Sequence, residues 1–186
     1  VGQDTLTLGA ALVEECAKIG AAPYLHYTDP SIQARYIQKA DEASMKKLGE
    51  FELAQMKNTD CYIGIRGSEN IFEHAGIPAE KQQMFTNLIR TPVHLKERVT
   101  NTRWTVMRYP GPSMAQLSLM STPDFEDFYY SVCLVDYNKM AMAVEPLAKL
   151  MEATDKVHIK GPGETGFTLS IKDIPVIPCT GERNVP

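Results

Sequence analysis

The residue pattern that most suggests chemistry is a glycine-rich segment, GPGETG, at Gly161–Gly166. Its spacing matches G-x-G-x-x-G, in which glycines and a following helix N-terminus hold the pyrophosphate of a dinucleotide. Here Phe167–Ile171 follows, and it alternates apolar and polar residues as a strand does. We therefore predict a β-hairpin from about Lys156 to Ile171, with the glycine segment as its connection. Glu182, near the distance expected of a ribose-binding acid, is interpreted as coincidental.

Histidines are the next candidates, because imidazoles are common metal ligands. The chain has four: His26, His74, His94 and His158. No HxH, HxxxH or HExxH pattern places two of them on one element, and the adjacent Glu73 and His74 point apart. We predict no catalytic and no metal-ligating residue in this chain, with a site assembled from distant residues as the alternative. The substrate-binding residues are unknown from the sequence.

Other reactive side chains have simpler interpretations. The segment GIRGS at Gly64–Ser68 lacks the spacing of a nucleophile elbow and fits a strand end with a flexible exit. Glu126 and Asp127 are expected on the solvated face of a helix. Trp104 is expected in the core. Several methionines in the helical middle are expected to fill core gaps, with a partner-binding surface as the alternative: Met114, Met120, Met140, Met142 and Met151.

Composition places the chain among globular proteins. Its 186 residues, 44% hydrophobic and 23% charged, suffice for one α/β domain, or for one domain and part of another. With 19 basic against 23 acidic side chains, the net charge of −4 argues against a nucleic-acid partner. Four dispersed cysteines indicate buried thiols in a reducing compartment. No signal peptide and no apolar run of about 20 residues is present, so we predict a cytoplasmic protein without a membrane partner.

The elements that must position these residues alternate between helix and strand over the first 110 residues. Helices are predicted from Asp4 or Thr5 to about Ile19, from Pro30, from about Asp41 to Gln55, and from Pro78. Strands are predicted at Ala21–Tyr27, Cys61–Arg66 and Thr102–Tyr109. This alternation predicts an α/β fold with a mainly parallel sheet and flanking helices, a Rossmann-like three-layer arrangement.

The remaining elements change in character after Thr154. Before it, helices are predicted at Ser113–Met120, from Thr122, and at Asn138–Thr154, where Pro146 should kink or break the helix. After it, the antiparallel hairpin is either an edge of the sheet or the start of a second domain. Ile174–Cys179 contains two prolines, which confine it to an edge strand or a loop.

Long collinear strings carry a more specific signal than any short motif. They are Thr102–Pro110, Pro112–Gln116, Phe125–Tyr129 with Cys133, Asp136–Tyr137, Lys139–Met140, Pro146–Leu147, Leu150–Met151, Thr154–Val157, Gly161–Gly163 with Thr168, Ile174–Pro175 and Pro178–Cys179. In these strings the chain resembles the metal-dependent aminopeptidases typified by aminopeptidase T and the PepS-type aminopeptidases of bacteria. The similarity covers nearly the whole chain and is dense from Thr102 onward.

The resemblance implies an exopeptidase that removes the N-terminal residue of peptides. It implies a homodimer of two-domain chains with two divalent metal ions, zinc, cobalt or similar, which would polarise the scissile carbonyl and activate a bridging water. The first family ligand, a glutamate, is expected shortly after Pro186, so no ligand is carried onto this chain. The chain is expected to be an excised piece, with processing as the alternative, and to be inactive and metal-free alone.

The domain prediction follows from the same resemblance. Residues 1–155 are assigned to an N-terminal α/β domain. Residues 156–186 are assigned to a hairpin and edge strand that complete it or lead into a C-terminal catalytic domain. Two other functions stay open: a nucleotide-binding α/β module that uses the glycine segment, and a non-catalytic module that dimerises through its methionine-rich helices. A helix after Gly166 would favour the nucleotide-binding module, and a strand would favour the peptidase.

Overall fold

Helices and strands alternate in the first half of the computed structural model, which describes residues 5–67, 70–181 and 183. The helices are α1 (Leu6–Lys18), α2 (Pro30–Lys39), α3 (Glu42–Lys57), α4 (Ala79–Phe85), a π-helix (Thr86–Arg98), α5 (Val99–Asn101), α6 (Pro112–Leu117), α7 (Thr122–Cys133) and α8 (Tyr137–Glu152). The strands are β1 (Cys61–Arg66), β2 (Arg103–Arg108), β3 (Lys156–Lys160) and β4 (Gly166–Ser170). The predicted α/β class is confirmed.

Side-chain caps fix the starts of α2 and α3. Asp29 Oδ1 accepts hydrogen bonds from the backbone N–H groups of Ser31 at 2.8 Å and Ile32 at 3.0 Å. Pro30 follows at the first helical position, where its missing N–H costs nothing. Asp41 Oδ1 accepts in the same way from Ser44 N at 2.8 Å. For α1, the predicted cap Asp4 lies outside the described residues.

The first sheet is parallel, as predicted. Strand β1 pairs with β2 in a register that runs from Cys61 opposite Arg103 to Arg66 opposite Arg108. The chain crosses between the two strands through α4, the π-helix and α5, and parallel neighbours need such a long crossover. This crossover lays the π-helix next to the strands and brings the Arg98 side chain to Tyr62 and Trp104.

The larger core lies where α3 crosses the π-helix. Its buried residues are Ala34, Ile37, Ala40, Met45, Met56, Ile77, Ile89 and Val93. The crossing is close at Gly49, since a Cβ added there would run into the carbonyl oxygen of Leu88 on the π-helix. Glycine is therefore required at position 49 for the two helices to approach as they do.

A second, smaller core joins α6 and α7. It consists of Ala115, Phe125, Tyr129 and Cys133, with Met114 packed against it. The Tyr129 hydroxyl donates a hydrogen bond to the Arg108 carbonyl at 3.0 Å, which ties α7 to the end of β2. Cys133 is buried as predicted, whereas Cys61 and Cys179 are exposed. The expectation of buried thiols is therefore wrong for those two cysteines.

The C-terminal part of the described chain lies on the surface. Strands β3 and β4 form an antiparallel pair from Lys156 opposite Ser170 to Lys160 opposite Gly166, so the predicted hairpin is confirmed. Helix α8 continues through Pro146, so the predicted break does not occur there. No residue of α8, β3 or β4 is buried. No helix in the described ranges is both long and apolar enough to cross a membrane.

Two segments considered for strands are irregular in the structure. Residues 21–27 form no strand, and each of their side chains is exposed. Pro23 removes one backbone donor, and a strand without a neighbour leaves its remaining polar groups without ladder partners. Ile174–Cys179 is a loop, which is one of the two outcomes predicted for it. Within the described residues, the parallel sheet therefore has two strands, β1 and β2.

Candidate functional site

The glycine segment connects two strands and precedes no helix. Strand β3 ends at Lys160 and β4 begins at Gly166, while the Gly161 N–H donates to the Thr165 carbonyl at 2.9 Å. Gly163 has φ +67°, a conformation that L side chains rarely adopt. A pyrophosphate site of the dinucleotide type requires a helix N-terminus at this point, so the geometry favours the hairpin interpretation. Glu182 lies outside the described residues.

The histidines are dispersed over the fold. His26 and His74 lie outside regular helices and strands, His94 is on the π-helix, and His158 is on β3. His158 Nδ1 is 2.7 Å from Thr168 Oγ1 across the hairpin. Among the described residues, no group of three or more His, Cys, Asp or Glu side chains could hold a metal ion. The residues described therefore do not fit a catalytic metal centre.

An arginine lies against two aromatic rings on one face of the parallel sheet. Tyr62 and Trp104 are register partners on β1 and β2. The guanidinium carbon of Arg98, from the π-helix, lies 5.0 Å from each ring centroid. This is the geometry of a cation–π interaction with both rings. Arg98 is only 7% exposed, and its Nε is buried without a hydrogen-bond partner in the described part of the chain.

Further basic side chains surround this stack. Arg90, His94 and Arg98 recur at intervals of four residues along the π-helix, and the His94 ring meets the Tyr62 ring edge-on at 5.9 Å between centroids. Burial, followed by the positive charges of Arg98, Arg90 and Arg66, lowers the pKa of His94 to about 4. His94 is therefore neutral at physiological pH, which spares the stack a further positive charge.

A polar cavity lies beside Trp104. It has a volume of about 370 Å³ and is lined by Thr100, Asn101, Thr102, Arg103, Trp104 and Arg183. We call it the arginine cavity. The Arg183 guanidinium carbon lies 5.8 Å from the Trp104 ring centroid. The Arg183 carbonyl accepts a hydrogen bond from Val106 N at 2.7 Å, which fixes this residue beside β2.

A second, apolar groove of about 270 Å³ lies between α8 and the chain that follows the hairpin. Leu147, Met151 and Ile174 contribute to its lining.

The methionines predicted to fill the core differ in how deeply they are buried. Met114 packs against the smaller core and Met140 is half-buried, whereas Met120, Met142 and Met151 are exposed. The core interpretation therefore holds for Met114 and is wrong for the three exposed methionines.

The remaining residues singled out from the sequence have no catalytic geometry. Gly64 lies within β1 and is buried, while Ser68 of the same segment lies outside the described residues. Asp127 is exposed as predicted, but Glu126 is half-buried. Trp104 is half-buried and stacked with arginine, so its expected core position is only partly correct. The sequence reasoning did not identify Arg98 or Arg183.

A comparison with known protein families identifies the same family that the sequence resembles. A family described as thermophilic metalloprotease (M29) matches residues 1–173, which is nearly the whole chain. No curated protein matches the chain significantly. The M29 family is the aminopeptidase T family, as the collinear strings indicated. The chain therefore belongs to the M29 family of metalloproteases.

Proposed function

We propose that this chain supplies the N-terminal α/β part of a metal-dependent aminopeptidase that hydrolyses the N-terminal residue of peptides. The family match over residues 1–173 is the observation that carries this proposal. The strand that follows Gly166 supports it, because the competing nucleotide-binding module requires a helix there. The chain would form one wall of the peptide cleft, since such clefts commonly lie between domains.

The metal centre is assigned to a downstream domain, on the resemblance alone. In such enzymes two divalent ions, zinc, cobalt or similar, polarise the scissile carbonyl of the peptide and activate a water molecule as the nucleophile. The described residues of this chain assemble no ligand group for them, so none of its side chains is given a step in the hydrolysis. A homodimeric assembly in the cytoplasm belongs to the same proposal and rests on the same resemblance.

The test compares this chain with a version extended through the downstream domain of its parent gene. Both are assayed on a leucine arylamide in the presence of cobalt or zinc, with a chelator-treated sample of the extended protein as the control. We expect turnover from the extended protein alone, lost on chelation and restored by metal. Turnover by this chain at a rate near that of the extended protein would place the chemistry within Val1–Pro186 and contradict the proposal.

A second candidate, a non-catalytic dimerisation module, is favoured by the exposed apolar side chains of α8. Met142, Leu147 and Leu150 are 67%, 55% and 64% exposed. Exposed apolar patches of this kind often mark protein–protein contacts. Analytical ultracentrifugation of the chain and of Leu150→Lys tests this alternative. Dimerisation that the substitution abolishes, together with an inactive extended protein, would favour the module over the peptidase.

A further inference from the structure

We propose that the arginine cavity binds the carboxylate group of a small organic anion. Under the proposed function, the source of that carboxylate is the free C-terminus of a peptide. The choice of source rests on the proposed function, whereas the binding of a carboxylate rests on the cavity itself. The cavity would thereby hold the end of a peptide that is not cleaved, and it would contribute to binding rather than to bond breaking.

The lining of the cavity supplies donors and positive charge. Of the six described residues that line it, two are arginines and three more carry hydroxyl or amide groups. None of the six lining residues within the described ranges is Asp or Glu. A guanidinium presents its N–H groups in a planar fork that matches the two oxygens of a carboxylate. Arg103 and Arg183 are both exposed, so their side chains are accessible to a ligand from solvent.

The arginines near the cavity form no ion pair in the described residues, and the nearby Glu97 carboxylate accepts a hydrogen bond from Asn101 Nδ2 at 3.0 Å. The ion pairs in the described residues are Lys18–Glu15, Lys139–Asp136 and Lys149–Glu145, and they include neither Arg98, Arg103 nor Arg183. Of these three arginines, Arg98 has the greatest need of an opposite charge, because it is almost wholly buried and its Nε has no hydrogen-bond partner within the described ranges. A buried charge is costly unless an opposite charge offsets it.

Trp104 connects Arg98 to the cavity. It is one of the residues that line the cavity, and its ring centroid lies 5.0 Å from the Arg98 guanidinium carbon. Its ring also lies near Arg183, so one indole is shared by a buried and an exposed arginine. An anion in the cavity would therefore bind directly to Arg103 and Arg183 and would also be attracted by the charge of Arg98 behind Trp104.

Size and overall charge favour a small anion over a polymer. A volume of about 370 Å³ accommodates the end of a peptide. The chain as a whole carries a net charge of −4, which opposes the approach of a long polyanion such as a nucleic acid. Inorganic phosphate shares the chemistry of a carboxylate towards arginine, so the experiment includes it as a separate arm.

The protein contains a convenient reporter for this test, because Trp104 is its only tryptophan. The chain is titrated with N-acetyl-alanyl-alanine, with the C-terminal amide of the same peptide, and with inorganic phosphate, at constant ionic strength and neutral pH. We expect a saturable change in Trp104 fluorescence with the free acid at millimolar concentration, and no change with the amide. Arg103→Gln and Arg183→Gln should each weaken binding about tenfold or more, the loss expected for one charge-assisted hydrogen bond.

The control variant is Arg35→Gln, the same substitution on α2, outside the cavity lining, which should leave binding unchanged. Far-ultraviolet circular dichroism of each variant verifies that it is folded. Equal responses to acid and amide, unchanged binding in both cavity variants, or tighter binding of phosphate than of the free acid would each overturn the proposal. The acetylated amine protects the probe from cleavage by an aminopeptidase. Because the titration measures binding to this chain alone, carboxylate binding can be observed even if the extended protein is inactive.

Discussion

Replacing Gly49 with alanine should destabilise the protein, because α3 and the π-helix touch at this residue. A Cβ at position 49 would collide with the Leu88 carbonyl oxygen and would lie 3.2 Å from the Leu88 carbonyl carbon and 3.3 Å from Ile89 Cγ1. The nearest obstacles are backbone atoms, which cannot rotate away as a flexible side chain can. The two helices must therefore move apart along the best-buried part of the core, where Met45 and Ile89 lie.

The magnitude follows from two opposing effects. Overpacking a close contact costs about 1–3 kcal/mol, and the upper value applies because backbone obstructs the new methyl group. Alanine in a helix interior recovers about 1 kcal/mol relative to glycine. We therefore expect a net loss of about 2 kcal/mol in the free energy of unfolding. For a chain of this length, that loss lowers the melting temperature by roughly 4–8 °C.

The assay is urea unfolding followed by circular dichroism, with Gly76→Ala as the matched control. Among the described residues, a Cβ at Gly76 would meet Gln38 Nε2 alone, at 3.9 Å, so the control should remain within about 0.5 kcal/mol of the unmodified protein. A Gly49→Ala variant that equals or exceeds the unmodified protein in stability would refute the close crossing. A loss of similar size in both variants would show that the effect is not specific to the crossing.

Three other outcomes are expected. Asp29→Ala should lower the free energy of unfolding near neutral pH, and this loss should shrink in acid. Hydrogen bonds from the Ser31 hydroxyl and the Ile32 N–H hold the Asp29 pKa below 3.8. The stabilisation by the Asp29 carboxylate is therefore lost as the pH falls below 3.8 and the carboxylate becomes protonated. Urea midpoints compared over pH would measure it. The free energy of unfolding should also fall as the pH is lowered from about 6.5 to 4, because the unfolded chain protonates His94 in this window while burial keeps it neutral in the fold. If the free energy of unfolding of His94→Gln falls as steeply over this window as that of the unmodified protein, the prediction is contradicted. Titration with NAD should give no calorimetric signal at millimolar ligand, and saturable micromolar binding that is lost in Gly163→Val would restore the nucleotide interpretation.

The parts of the fold that the sequence predicted are those with local causes. The start of α2 follows from Asp29 and Pro30, which are adjacent in the chain and act within one turn. The hairpin follows from the alternation on both sides of Gly161–Gly166. In each case the deciding interactions join residues close in sequence, so the pattern of residue types was sufficient.

The parts that the sequence missed depend on distant neighbours. Residues 21–27 have the composition of a strand, but no described strand pairs with them. Pro146 is tolerated because α8 is exposed and water can satisfy the carbonyl that loses its helical partner. The stack of Arg98 on Tyr62 and Trp104 requires the β1–β2 register and the crossover helix together. No spacing rule within one segment encodes that combination.

The separation of the two cores has a consequence for local opening. Ile89 and Val93 belong to the larger core, whereas Phe125 and Cys133 belong to the smaller one, and the two sets form separate clusters. Native-state hydrogen exchange should therefore divide the backbone amides into slow, intermediate and fast classes. The α3 and π-helix amides would exchange most slowly, those of α6 and α7 at an intermediate rate, and those of α8 and the hairpin fastest. A protease added to the folded protein would then cut in the exposed irregular segment 21–27 and after about residue 137, and it would leave the sheet and the crossover helix protected.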